Sequence, residues 1–594
     1  MPVDRFPVQV VEIDYDFCSR SFGDYNVTTN PTGCQAALSN AVVRKCYNTF
    51  ATCSFKTAFN NLPLTLRFIN NVENSPKTAT YFPALISVSE TSSGVNIAGS
   101  DDEIGPLGRR AITKVRIRDF PYDDQLTDKY RAQRVSGVAQ NDEAGYNPLD
   151  RQTFFTKFRA RWPFYTGRPM RVITGYMENG VITQQQIRSY IITDFSVDDD
   201  NQVTIAGKDI LTLADDKKAM VPKNSRGRLL LAMDAVTNNL VRTLEPAGIG
   251  AEYPAAGFAC IGSEVLSYTR SGDILTFLSR GDQKTKASTH AINDTVQVCF
   301  YTENVRIDTL LYDLLVNYAK VPASFCDTAN WANEIDLWLS FLKLTGLIVK
   351  PVGVATIIGE LSLLGISIWW DAVAQKIKIK TSRPVLSDVV VDISDNEDII
   401  SISKEDQDEK RLTQVHFYTT RDDPTKDIRN KSNYNTVLVY VDTDAESANA
   451  HNDSKIKEVF SRWLTNGDNI ANLLSVRLLK RFNTAPVRYK IILDNKDKTI
   501  ALADVIRVTS RLISTDAGLP APTLLQVVRK TEIKDGHQFE IIAQSYDFSG
   551  KYGNISPNTQ VDYATATAIE KKDNCFLSDG AVFFADGAAP YEFI

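Results

Sequence analysis

The chain has 594 residues, of which 43% are apolar and 23% charged, with a formal net charge of −6. That length supplies several hydrophobic cores, in about three to five domains. The acidic balance argues against a dedicated nucleic-acid binder, and four histidines leave little material for a histidine-based metal site. Tyr (23) and Phe (28) are plentiful beside short β-branched runs, so the fold class expected is mainly β with α+β parts.

The first informative stretch runs from Cys18 to Cys53, where Cys18, Cys34, Cys46 and Cys53 are separated by fifteen, eleven and six residues. Half of the eight cysteines fall in these 36 positions. The N-terminal MPVDRFPVQV lacks the charged and apolar regions of a secretory signal, so a reducing cytoplasm is expected, where clustered cysteines bind metal more often than they bridge. Four thiolates suit an iron–sulfur cluster or zinc. Structural zinc sites usually contain pairs with about two to four intervening residues, and no pair here is that close. The spacing favours a cluster wrapped by separate loops, with the Asn-, Thr- and Gly-rich run Asn26 to Gly33 as one of them. Zinc, and disulfides or unligated thiols, stay open as alternatives.

Alternating segments follow at Ala84 to Val88 and Ile112 to Arg118, with a Gly-, Ser- and Asp-rich loop between them. In Arg159 to Arg171, basic residues interleave with aromatics. That pattern can grip single-stranded nucleic acid, or it can be a strand and corner whose Arg stems cover core edges; the acidic chain favours the second. Strands are expected at Tyr190 to Phe195 and Val203 to Ala206, joined by a turn through Asp198, Asp199 and Asp200 that lacks calcium-loop spacing. Residues 226–300 form a small β module with a hairpin turning at Ser271-Gly-Asp273. The Arg280-Gly-Asp282 tripeptide carries no weight, and Cys260 and Cys299 read as core thiols. A helix is expected over Val305 to Tyr318, followed by a buried Cys326.

The apolar stretch Ile335 to Trp370 is interrupted by Lys343, Lys350, Pro351 and Glu360. Its uncharged runs fall short of the ~18 residues of a membrane span, so it reads as buried helices with a hairpin from Ile366 to Lys380. The polar run from Ile393 to Arg411 reads as a boundary. Beyond it come strands at Val415 to Tyr418 and Thr436 to Tyr440, two helices (the second presenting Ile470, Leu473, Leu474, Leu478 and Phe482), and strands at Tyr489 to Leu493, Val505 to Thr509 and Leu524 to Val528. A hairpin turns through Lys534 to Gly536, and a polar tail ends the chain. The organisation expected is a Cys-rich motif (1–65), a β domain (66–225), the inserted module (226–300), a helix-plus-hairpin domain (301–392), a second β domain (393–553) and a tail (554–594). No nucleotide-binding glycine loop, Gly-x-Ser-x-Gly elbow or His-Glu-x-x-His helix is present, so a non-enzymatic protein is expected.

The segment Cys46-Tyr-Asn-Thr-Phe-Ala-Thr-Cys53 resembles the paired-cysteine signature of iron–sulfur tail-tip proteins in lambda-like, long-tailed phages. Arg159 to Arg171 with Ala206-Gly-Lys-Asp209, the small β insertion and the Trp369-Trp370 hairpin resemble segments of the tail-tip or baseplate hubs of non-contractile tails. In the lambda-like case the cluster domain ends a separate, shorter protein, whereas here the motif opens a long chain. The resemblance implies two β-barrel-like, tail-tube-related domains in a homotrimeric hub of the virion, assembled in the bacterial host cytoplasm. It implies a [4Fe–4S] cluster on Cys18, Cys34, Cys46 and Cys53. Implied partners are the distal tail and tail-tube proteins, the C-terminus of the tape-measure protein and a central tail fibre, with DNA passing transiently through the lumen. A receptor-binding adhesin and, behind it, an iron–sulfur redox protein are the alternative functions.

Overall fold

Strand β1 (Phe6–Tyr15) sets the pattern of the N-terminal part: Val11, Ile13 and Tyr15 alternate onto one face, while Val8 and Val10 bury on the other. The computed structural model describes residues 6–21, 23–35, 46–70, 76, 79–97, 105–136, 147–198, 200–385, 388–465, 468–494, 500–534, 538–546, 561–574 and 576. The fold is mostly β, with half-barrel sheets and some helices. It divides into two units, the first made of Met1–Thr91, Arg110–Thr212 and Ala372–Gln375.

In the first unit, β1 joins β2 (Leu64–Ile69), β3 (Leu85–Thr91), β4 (Ile112–Arg118), β5 (Pro169–Glu178), β6 (Val181–Val197) and β7 (Gln202–Lys208). They form one sheet in the order β2-β1-β5-β6-β7-β4-β3, antiparallel throughout. Two helices pack with it, α1 (Arg131–Ser136) and α2 (Phe154–Arg161). Of the strand and corner expected over Arg159 to Arg171, the first three residues instead end helix α2, and the strand begins at Pro169. Helix α2 forms because Phe154, Phe155, Phe158 and then Trp162 fall on one helical face and bury against Tyr15, Phe68 and Phe195. Rings interlock there: Phe158 stacks on Tyr15 with centroids 5.0 Å apart and meets Trp162 edge-on at 5.0 Å.

The arginines of this stretch are engaged inside the unit. Arg161 pairs with Asp124 at 2.7 Å, Arg168 with Asp16 at 3.1 Å, and Arg171 with Glu12 and Asp14, both at 2.8 Å. Arg159 lies over the rings of Tyr165 and Phe195. Burial alone would raise the Asp124 pKa, but bonds from Arg161 and Lys157 hold it below the usual carboxylate value.

The second unit contains the other sheets. The inserted module is six-stranded, in the order Gln297–Val298, Ala256–Ile261, Glu264–Ser271, Ile274–Ser279, Leu240–Glu245, Arg228–Leu229, with its own core around Leu266, Tyr268 and Phe277. Its hairpin turns at Gly272, at φ 60, as expected. Arg280 of the Arg-Gly-Asp tripeptide is buried on Glu264, which also meets His290 at 2.8 Å. Cys260 and Cys299 pack with Val265, Leu347 and Val349, and Cys326 is buried.

The helix expected from Val305 begins at Ile307, because Val305 pairs in the strand Phe300–Arg306, and it widens into a π-helical turn over Leu314–Tyr318. The stretch from Ile335 to Trp370, expected to be helical up to its hairpin, also contains the strand Lys343–Ile348 between helices Thr328–Trp338 and Val354–Ser362. Among the described residues no helix is long and apolar enough to cross a membrane.

A second six-stranded sheet follows the order Val391–Ser394, Val505–Thr509, Thr523–Lys534, Gln538–Ser545, Val487–Asp494, Ile399–Asp406, and two of its strands lie in the polar run around Ile393 to Arg411. A three-stranded sheet of Tyr434–Val441, Gln414–Arg421 and Ile456–Phe460 packs with the helix Asp468–Phe482. Asp535 and Gly536 of the expected hairpin turn lie outside the described residues, as does most of 554–594.

Candidate metal centre

Cys18 stands where the chain leaves β1, in an isolated bridge with Asn61, and its N–H donates to the Asn48 carbonyl at 2.7 Å. Cys34 closes a looped stretch whose turns are made locally. The Asn26 side chain accepts from the N–H groups of Thr28 and Thr29, both at 2.9 Å; Tyr25 N–H donates to the Cys34 carbonyl, and Cys34 N–H donates to the Asp24 carboxylate. Gly33 is needed there, since a Cβ would fall 2.7 Å from the Asp24 carbonyl oxygen. Cys46 and Cys53 lie on a turn tied by Thr49 and Thr52, whose hydroxyls are 2.9 Å apart.

Asn48 links two of the cysteines. It is buried and left-handed, at φ 63, a conformation Asn tolerates better than most residues. Its N–H donates to Cys46 Sγ at 3.4 Å, its carbonyl accepts from Cys18, and its side chain accepts from Lys129 N–H at 3.0 Å.

All four cysteines line one recess, walled on its apolar side by Phe55, Ala58 and Phe59. All four are free thiols. Burial pushes the Cys46 thiol up to about 11; the Asn48 N–H opposes this, and Cys53, Cys34 and Cys18 add to the cost of ionising it. Cys53 is raised chiefly by burial, against a hydrogen bond from Phe55 N–H and the charge of Lys56. Two of the sulfurs thus already receive backbone N–H groups from the residue two positions on.

Behind the recess, Arg134 is fully buried, its Nε 2.7 Å from Asp128, while an Nη donates to the Cys46 carbonyl. Lys129 Nζ donates to the Cys18 carbonyl. Tyr47 has the guanidinium of Arg134 at 4.3 Å and that of Arg161 at 4.2 Å from its ring centroid, and Thr49 donates to the Arg161 carbonyl at 2.6 Å.

Four soft sulfur donors around one space are a ligand set for zinc or an iron–sulfur cluster. A single zinc ion needs its sulfurs about 2.3 Å from one centre. Among the described residues no three His, Cys, Asp or Glu side chains are grouped closely enough to hold one ion. The sequence pointed to the four cysteines but not to Asn48, Lys129, Asp128, Arg134 or Arg161. Only Asn48 lies inside the motif, and the others come from more than 70 residues further along the chain.

No protein-family model matches the chain, and no curated protein matches it. Among solved structures it is similar to the 43 kDa tail protein of prophage MuSo2 from Shewanella oneidensis, at 9% identity, covering 78% of this chain and 98% of that one with a TM-score of 0.32. It is also similar to the tail protein from Neisseria meningitidis MC58, at 10% identity, 77% and 96% coverage and a TM-score of 0.30. A chain of the Francisella PdpA–VgrG complex, lidded form, aligns at 9% identity over 94% of this chain and 54% of that one, with a TM-score of 0.33. These are distant likenesses, and likeness of fold does not by itself carry function.

Proposed function

We propose that the chain is a structural subunit of a phage-type tail tip: a homotrimeric hub that closes the tail tube, joins it to a tip or central fibre, and leaves a lumen for the tape-measure end and DNA. Within it, Cys18, Cys34, Cys46 and Cys53 would hold a [4Fe–4S] cluster. The observation that carries this reading is the convergence of four unbridged thiols on one recess, in the cysteine stretch that resembles the tail-tip signature. The donor set fits: all sulfur, with backbone N–H groups already on Cys46 and Cys53. When bound, such a cluster supplies metal–thiolate bonds that cross-link chain segments.

The chain's own residues prepare those bonds. Asn48 sets Cys46 and Cys18 against each other, and Lys129 and Arg134 fix their carbonyls. Cys34 arrives on a stretch with its own internal hydrogen bonds, so its thiolate bond would fasten that stretch to the sheet domain.

The test is iron and acid-labile sulfide per chain, with visible absorption, on protein purified without air, beside Cys46→Ser and Cys53→Ser. About four of each per wild-type chain, lost in both variants, is the expected result. Zinc in their place would keep a structural site and remove the cluster; no metal would remove both. Light scattering on the same samples should give three chains per particle, and a monomer at micromolar concentration would count against the hub.

A further inference from the structure

Among the described residues, one charged side chain lines the four-cysteine recess: Arg20, two residues after Cys18. Lys129 and Arg134 also approach the motif, but their hydrogen bonds go to the backbone carbonyls of Cys18 and Cys46. Arg20 lines the recess itself, which Arg134, whose buried Nη1 also lacks an acceptor among the described residues, does not. The Arg20 Nε is buried, and among the described residues nothing accepts a hydrogen bond from it. Among the described residues no carboxylate lines the recess, whose other side chains are thiols, Asn48, Thr49, Ser54, aromatic rings and Ala58.

A buried guanidinium N–H without an acceptor is unfavourable, and native folds rarely leave one. Resting on the cluster reading above, we propose that Arg20 is a hydrogen-bond donor and counter-charge to the sulfur-ligated, negatively charged group held by the four cysteines. The bound group supplies the acceptor that the protein lacks. A charge-assisted N–H bond is stronger than a neutral one, and both net charge and hydrogen bonds to sulfur set the potential of such a group. Arg20 is therefore a positioning and tuning residue rather than a ligand.

The experiment uses the full chain purified without air, as wild type, Arg20→Gln and Arg20→Lys. Iron and sulfide are counted first, then the midpoint potential is measured by titration with dithionite and mediators, and iron release to a chelator is timed. Arg20→Gln should take up the same iron, shift the midpoint to more negative values, and release iron about tenfold faster or more, as the loss of outer-sphere partners does elsewhere. Arg20→Lys keeps the charge without the planar donor fork and should recover part of the potential. The unfolding midpoint of the metal-free chain should be equal in all three, because among the described residues the Arg20 Nε has no acceptor to lose. An Arg20→Gln chain that folds but fails to load iron overturns the tuning role. An intact cluster with unchanged potential and release rate in Arg20→Gln overturns it and leaves the cluster reading standing. A wild-type chain without iron removes that reading, and this proposal with it.

Discussion

At the scale of single residues, Asn48 concentrates several duties in one side chain and one peptide unit. Asn48→Ala removes the acceptor for Lys129 N–H and puts at φ 63 a residue that tolerates the left-handed region less well than Asn. A loss of about 2 kcal/mol is expected from the two effects together, read as a lower denaturant midpoint of the first unit, with Asn48→Gly recovering the backbone part. Glu264 makes a second case. Burial alone would raise its pKa, but His290, Arg280 and the N–H groups of Ser288 and Gly281 outweigh that and hold the carboxyl well below its usual range. Its unfolded value is about 4.3, so the stability it contributes is complete above that pH and is lost as pH falls toward the lower folded value. Glu264→Gln leaves Arg280 buried without its counter-ion and should cost about 3–5 kcal/mol in calorimetry at neutral pH, with the deficit shrinking in acid. That the four cysteines come together at one recess was legible from their clustering in the sequence. Glu264 was not, since nothing in a single carboxylate announces which distant arginine and histidine will enclose it.

Among elements, helix α2 is one that the sequence concealed. Its Lys157-Phe-Arg-Ala-Arg161 run imitates a strand with one wet face, but Phe154, Phe155, Phe158 and Trp162 recur at helical intervals, and their burial decided the outcome. Phe158→Ala should lower stability by about 3–5 kcal/mol, because a ring packed against Tyr15, Trp162, Phe154 and Phe195 leaves a cavity that these neighbours fill only in part. The denaturant midpoint of the first unit measures it. Elsewhere the period-two strands of the inserted module and the Ile366–Asp371 with Lys376–Thr381 hairpin were legible from alternation alone. The strand Lys343–Ile348 was not, because a short apolar run has the same composition in a buried strand as in a buried helix.

Across the whole molecule, the chain does not keep its units in sequence order. Residues Ser92–Arg109, which leave β3 and return before β4, are counted with the second unit, where Val95 N–H donates to the Val528 carbonyl at 2.8 Å. Gly108, at φ 71, is essential to that excursion, since a Cβ would fall 2.1 Å from the Gly94 carbonyl oxygen. Gly108→Ala should therefore depress the thermal midpoint of the second unit, whereas an alanine at Gly105, with open space around it, should cost only the backbone strain of its positive φ. No local pattern marked this segment as anything but a loop, because its partners lie more than 400 residues away in sequence.

The loop carrying Cys34 has one further consequence. Every hydrogen bond described for residues 23–35 stays within that stretch, and Tyr25 and Val27 are exposed. If, as proposed, a cluster bound by the Cys34 thiol is what fastens it, iron-free chains should be cut by chymotrypsin after Tyr25 while iron-loaded chains survive, so that protease resistance reports whether the site is filled.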